Sequence, residues 1–247
     1  MAIEWQDEGV VLSTRRHGES DAILHLMTFQ HGRHAGIVKG GLARERQPLL
    51  QTGNRLEATW RARLADQLGS WRLEPHTLYA ARLLDEPLAL AGLASAAALL
   101  DQGLAERDPH PTLYAGLIKL IERLGPGSSW LGEYVRFEVL LLAELGFGLD
   151  LSRCAVTGAD TDLAFVSPRT GRAVSRSGAG PHAQKLLPLP RFLVEGGDGD
   201  PVQAAAGLKL TGHFLKSSPF EPRGRALPAA RDRLVQLVSK AALETLR

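Results

Sequence analysis

The chain has a single cysteine, Cys154, among 247 residues, so no intrachain disulfide can form and packing and hydrogen bonds must hold the fold. Thiol scarcity of this kind fits a reducing cytoplasm. No run of eighteen apolar residues occurs, which leaves no expected membrane-spanning helix. The opening segment, Met1 to Gly9, is acidic and has no apolar centre, so it does not read as a signal peptide. Aromatic residues make up only 6% of the chain, while Leu and Ala are abundant, which points to a large helical portion. Catalytic signatures are missing too: there is no GxxxxGK[ST], no GxGxxG after a strand, no HExxH and no GxSxG. The cluster His17-Gly18-Glu19-Ser20-Asp21 has the letters of a hydrolase triad, but neighbours on one turn cannot converge as a triad must. It reads as a polar turn between strands. Asp160 and Asp162 read as a solvated loop and not as a cation site.

What is present is uneven charge. The net charge of +2 conceals net +1 over residues 1–80, −5 over 81–150 and +6 over 151–247. Basic ends and an acidic centre suggest surfaces for a polyanion and a separate acidic one. The most informative stretch is Arg33 to Arg63, with seven Lys/Arg against two Asp/Glu. Its second half alternates with period two: Leu56, Ala58, Trp60, Ala62 and Leu64 face one side, and Arg55, Glu57, Thr59, Arg61 and Arg63 the other. An Arg-bearing strand beside a basic, Gly-rich loop is the layout of a small β-domain that grips a phosphate backbone, although a solvated outer face would look the same.

At this length two domains are expected. Residues 1–80 predict five strands, Glu8–Thr14, Ala22–Phe29, Arg33–Lys39, Arg55–Leu64 and Leu68–Glu74, broken at glycine-bearing turns. Five short strands fit an oligonucleotide-binding (OB) barrel, with an SH3-like barrel as competitor. Trp60 belongs to the barrel core, Trp71 is ambiguous, and Tyr79 could stack on a base. From Pro87 the period becomes helical, with Leu88, Leu93, Ala97, Leu100 and Leu104 on one stripe and an end near Asp108-Pro109. Pro111 opens a second helix that stops at Gly125. A third runs Trp130–Leu145, capped by Ser128 or Ser129. The three should form an antiparallel bundle. Residues 81–87 contain no Gly/Ser linker, so barrel and helices should pack on each other. From Gly158 to Pro201 glycine and proline recur, with a small hairpin at Leu163–Ser167 and Arg172–Ser175. Helix returns at Ala204–Lys216 and Pro228–Leu246.

The order of these parts resembles the bacterial recombination mediator family RecO over nearly the whole chain. The resemblance lies in Asp7-Glu8-Gly9-Val10-Val11-Leu12 followed by Gly18-Glu19-Ser20-Asp21, and in Gly36-Ile37-Val38-Lys39-Gly40-Gly41. It continues in the helix end Arg136 to Phe147 and in Asp150-Leu151-Ser152-Arg153-Cys154 with Gly158. It implies an α+β chain: an N-terminal five-stranded OB-type barrel (residues 1–80), then a helical domain (81–247) with a small zinc-ribbon-like insertion at about 150–200. It also implies a DNA-binding protein of recombinational repair that is not an enzyme. Such a protein anneals complementary strands and helps load recombinase onto single strands coated by single-stranded-DNA-binding protein (SSB). Its implied partners are single- and double-stranded DNA, the ring protein RecR and the SSB C-terminal tail. It would be cytoplasmic, and nucleoid-associated when on DNA. A protein-assembly scaffold with incidental DNA contact, or an RNA-binding OB protein, fits the bare features as well.

On this reading Lys39, Arg44, Arg46, Arg61 and Arg63 contact phosphates, with Arg15, Arg16 and Arg55 as weaker candidates. An SSB tail, acidic with an apolar tip, would use Arg123 and Arg136 for its carboxylates and an apolar segment including Val139 and Leu140 for its tip. One departure from the family matters. Many relatives carry CxxC twice in the insertion, whereas this chain has Cys154-Ala155-Val156-Thr157 and then Ser175-Arg176-Ser177-Gly178. A closed zinc site needs four thiolate or imidazole ligands. With His182 the only nearby imidazole, no metal and no cofactor are expected.

Overall fold

The computed structural model describes residues 2–127 and 129–246. It divides into two compact units, Met1–Gly125 and Pro126–Arg247.

The first unit is built on five strands: β1 (Ile3–His17), β2 (Asp21–Thr28), β3 (Gly32–Val38), β4 (Arg55–Ala62) and β5 (Ser70–Thr77). They close into a barrel in the order β1-β2-β3-β5-β4. Closure depends on β1, which is long enough to serve two neighbours. Its first half pairs antiparallel with β4, from Ile3↔Ala62 to Val10↔Arg55. Its second half pairs with β2, down to His17↔Asp21, across an irregularity between Val11 and Ser13. An extra residue at such a point bends a strand and increases its twist, which lets one strand turn the corner of a barrel. The ring is completed by one parallel contact, Ile37↔Ser70, between β3 and β5.

The period-two pattern of β4 is realised: Leu56, Ala58, Trp60 and Ala62 are buried, while Glu57 and Arg61 are exposed. Leu64 is not part of that face. The strand stops at Ala62 and Leu64 is 51% exposed in the following loop. Trp60 and Trp71 both lie in the barrel core, and each indole N–H donates to a backbone carbonyl (Ala35 and Leu68 for Trp60, Leu24 for Trp71). The rings are seated where the neighbouring backbone has no side chain. A Cβ at Gly69 would come within 2.4 Å of the Trp60 ring and one at Gly36 within 2.6 Å of the Trp71 ring.

Helix α1 (Pro87–Gly103) packs against β1. It ends well before Asp108-Pro109 because the chain is captured by β3. Leu104 turns extended, Glu106 bridges Arg33, and the Arg107 N–H donates to the Arg33 carbonyl at 2.8 Å, with Arg107 itself at φ 62°. Helix α2 (Pro111–Arg123) starts with proline at its first turn, where no N–H is needed, and stops at Leu124. Its Tyr114 meets Phe29 of the barrel edge to face.

In the second unit, α3 (Leu131–Glu144) is followed by a three-stranded sheet in the order β7-β6-β8: β6 (Leu163–Val166), β7 (Ala173–Ser175) and β8 (Leu187–Pro188). The short helices α4 (Arg176–Ala179) and α5 (Phe192–Glu195) lead to α6 (Pro201–Leu215) and α7 (Ala229–Thr245). Asp200 caps α6 by accepting the Gln203 N–H. Of the two serines expected to cap α3, Ser128 lies outside the described residues. Ser129 does not cap: Trp130 occupies that position, and no side chain accepts from the first turn. The expected three-helix bundle is replaced by two associations. Helix α1 packs on the barrel, whereas α3 packs on α6 and α6 on α7. The compact first unit therefore extends past residue 80 and takes in α1 and α2. Among the described residues no helix is long and apolar enough to cross a membrane.

Candidate nucleic-acid interface

The loop between β3 and β4 carries Lys39, Arg44 and Arg46, all exposed. It is short of regular structure, yet it is anchored at both ends. At its start the Gly40 N–H donates to Asp21 Oδ1 (2.8 Å) and the Leu42 N–H to the Ser20 carbonyl (2.9 Å). At its end Leu50 is buried in the barrel core and its carbonyl accepts from the Thr14 hydroxyl. The wholly buried Asn54 donates to the Pro48 and Leu49 carbonyls and accepts from the Ala80 N–H. A buried amide with its donors and acceptor satisfied is a rigid brace.

Two further segments flank the end of β3, one on each side. The β1–β2 hairpin, with exposed Arg15 and Arg16, lies against the loop through Ser20 and Asp21. The β4–β5 loop, entered through exposed Arg61 and Arg63, reaches the same strand end, where the Ile37 N–H donates to the Gly69 carbonyl at 3.0 Å. That loop is held from behind by Arg107, whose guanidinium donates to the carbonyls of Ala65 and Gln67 and lies over the Trp60 ring. Two of the cluster's arginines have a carboxylate at the edge of pairing range: Arg61 with Glu4 at 3.7 Å and Arg15 with Asp101 at 3.9 Å. The Arg61–Glu4 pair is exposed on both sides and at that length contributes little, whereas Asp101 is buried and already held by His25 and Arg33, which leaves the exposed Arg15 only loosely engaged.

Arg55 is different. It sits at the far end of β4 from Arg61, a span of about 20 Å along an extended strand, and its guanidinium is bound to Glu8. It lines a groove of about 650 Å³ with the carboxylates of Glu8, Glu57 and Glu122, the cation Lys119, and the apolar Phe29 and Ile118. Glu8, Glu57 and His76 bring potential ligand atoms within 4.8 Å of one another beside it, and Arg55 already neutralises the first of them. Carboxylates outnumber cations in this lining, which disfavours a phosphate there. The aromatic candidates are also withdrawn from the surface: Trp60, Trp71 and Tyr79 are 2%, 6% and 6% exposed. The candidate interface is therefore one of charge, and none of these three aromatics is placed to stack on a base.

With this geometry in view, comparison with known proteins is decisive. Residues 1–77 match the family model described as "Recombination protein O N terminal", and residues 84–224 match "Recombination protein O C terminal". The chain belongs to the RecO family. Proteins named "DNA repair protein RecO" are similar along almost their full length. One from Cereibacter sphaeroides is 50% identical over 97% of this chain and 100% of its own. One from Methylobacterium nodulans is 51% identical over 95% and 98%, and one from Agrobacterium fabrum 47% over 97% and 94%.

Against the double CxxC of many RecO relatives, the segment around Cys154 is a hydrogen-bonded knot. The buried Cys154 sulfur accepts from the Ser175 N–H (3.2 Å), the Ser175 hydroxyl (3.3 Å) and the Thr157 N–H (3.4 Å). The Ser175 hydroxyl in turn accepts from the Gly178 N–H. A Cβ on Gly178 would lie 2.9 Å from the sulfur. Burial pushes the Cys154 thiol up, but the donors from Ser175 and Thr157 outweigh it and bring it down to about 6. One thiolate among N–H and O–H donors does not fit a tetrahedral zinc shell.

The tail-binding candidates fall in separate units. Arg123 is exposed at the end of α2 in the first. Arg136, Val139 and Leu140 lie on α3 in the second, where Val139 and Leu140 are half-buried. The Arg136 guanidinium is engaged within its own unit: it donates to the carbonyls of Phe192 and Gly197, lies over the Phe192 ring, and pairs with Glu133 at 3.7 Å. Asp21, Asn54 and Arg107, which brace these loops, carry no local sequence signal beyond a polar residue near a turn.

Proposed function

We propose that the closed barrel is an OB-type domain and that its basic cluster binds the DNA backbone in recombinational repair, with no chemistry performed on the DNA. The observation that carries this reading is the clip that joins the β1–β2 hairpin, with exposed Arg15 and Arg16, to the loop with exposed Lys39, Arg44 and Arg46, while exposed Arg61 and Arg63 lead into the segment that meets β3 from its other side. The closed strand order with its single parallel β3–β5 contact supports the OB assignment. Cations that hold phosphates and leave the bases untouched fit a protein that keeps two complementary strands at close quarters until their bases pair. On this basis the chain anneals strands and helps load recombinase onto SSB-coated single strands, with RecR and the SSB tail as protein partners. The second unit carries the segment containing Cys154 as a metal-free relic of a zinc ribbon.

Titration of a labelled DNA single strand tests the reading. The wild type should bind with DNA favoured over RNA of the same sequence, and the Lys39→Ala/Arg44→Ala/Arg46→Ala variant should bind far more weakly. Equal affinity in that variant would contradict it. For the tail contact, Val139 and Leu140 beside Arg136 supply apolar surface next to a cation. A folded Val139→Glu variant that still binds a tail peptide normally would remove them from that site.

A further inference from the structure

The turn His17-Gly18-Glu19-Ser20-Asp21 places an anion next to the basic loop. The β2–β3 ladder ends at Ala22↔Val38. Two residues beyond Val38, the Gly40 N–H has no strand partner and donates instead to Asp21 Oδ1 at 2.8 Å. The Ser20 hydroxyl donates to the same oxygen at 3.1 Å, and the Ser20 carbonyl accepts the Leu42 N–H at 2.9 Å. Lys39 therefore precedes this clip by one residue, and Arg44 and Arg46 follow it within four. Gly40 adopts φ 63°, and its carbonyl accepts the Ala43 N–H, so the chain leaves the clip in a tight turn toward Arg44.

We propose that Asp21 is a positioning residue for phosphate binding: its carboxylate fixes the loop that presents Lys39, Arg44 and Arg46. This rests on the DNA-binding reading above. By charge alone a carboxylate there opposes a polyanion, so its presence calls for a compensating gain. The gain is preorganisation, because a loop ordered before binding loses less entropy on contact. The Gly40 N–H aimed at the Asp21 carboxyl holds it below the usual carboxylate range, so the clip is charged at neutral pH.

The two effects have opposite signs, which makes the proposal testable with wild type, Asp21→Ala, Asp21→Asn and the Lys39/Arg44/Arg46 triple alanine variant. Single-strand affinity and amide exchange at Gly40 and Leu42 are the readouts. Asp21→Ala should weaken binding about threefold or more, the worth of a lost hydrogen bond, although it removes a negative charge. Its Gly40 and Leu42 amides should also exchange faster. Asp21→Asn keeps the Oδ1 acceptor and loses the charge, and should bind at least as tightly as wild type with protection retained. Unchanged or tighter binding by Asp21→Ala overturns the proposal, as does an Asp21→Asn variant equally weakened. The triple variant separates the causes of failure. If it loses binding while Asp21→Ala does not, only the role of Asp21 falls. If it binds like wild type, the phosphate site itself is misplaced and the positioning role falls with it.

Discussion

Arg231 and Glu138 form a buried two-pronged ion pair in the second unit, Nε to Oε1 at 2.7 Å and Nη2 to Oε2 at 2.9 Å, with side chains 4% and 0% exposed. Tyr134 and Thr211 donate to the same carboxylate, and Arg231 also reaches the Leu208 carbonyl, so α3, α6 and α7 meet at one satisfied network. Removing one partner strands a buried charge. Glu138→Ala should therefore cost roughly 3–5 kcal/mol in denaturant unfolding. A loss under 1 kcal/mol would mean the network does not hold the unit.

His34 gives a pH signature. It is 4% exposed, neither ring nitrogen has a hydrogen-bond partner, and its ring stands edge-on to Trp5, Trp60 and Trp71. Burial, with Arg107 and His31 adding to it, pushes its pKa down to about 4. Between there and the unfolded value of about 6.5 the unfolded chain holds a proton that the folded one excludes. Stability should rise with pH across that window, by up to roughly 1.4 kcal/mol per unit, and the gain is complete above it. His34→Phe should flatten the slope. An unchanged slope in a folded variant would locate the acid sensitivity elsewhere.

Cys154 gives a second signature. A thiol lowered to about 6 stabilises the fold fully above the unfolded value of about 8.5, and that contribution is lost as pH falls through the folded value. Thiolate absorbance should titrate near pH 6 in the wild type and at higher pH in Ser175→Ala. Elemental analysis of protein prepared without chelator should find far less than one zinc per chain. Stoichiometric zinc would show that ligands beyond Cys154 had been overlooked.

Arg55 separates net charge from position. Its guanidinium is committed to Glu8, and its groove is acidic. Arg55→Ala should leave single-strand affinity within about twofold of wild type, whereas Arg61→Ala or Lys39→Ala should weaken it by the larger effect of a lost phosphate contact. Equal losses at all three would show that total charge, not the cluster, governs binding.

Much of this was legible in local pattern. The alternation from Arg55 to Ala62 revealed the buried face of β4, and Pro111 marked the start of α2, because both depend on neighbours in sequence. Leu64 was misassigned because the alternation outruns the strand by two residues. The end of α1 and the grouping of helices were hidden for another reason. Arg33 and Glu106 lie far apart in the chain, and their bridge diverts residues 104–108 from helix. The same holds for the site. Basic side chains are visible in sequence, but the bonds that fix their segments, from Gly40 to Asp21 and from Ile37 to Gly69, are contacts between separated parts of the chain.

The most direct test of the account is the salt dependence of single-strand binding, compared between wild type and the Lys39→Ala/Arg44→Ala/Arg46→Ala variant. Each phosphate contact on a single strand contributes about 0.7 to the slope of log affinity against log salt. Loss of three should make the variant's slope shallower by roughly 2. A variant with the wild-type slope and affinity would contradict the central claim that this loop grips the DNA backbone.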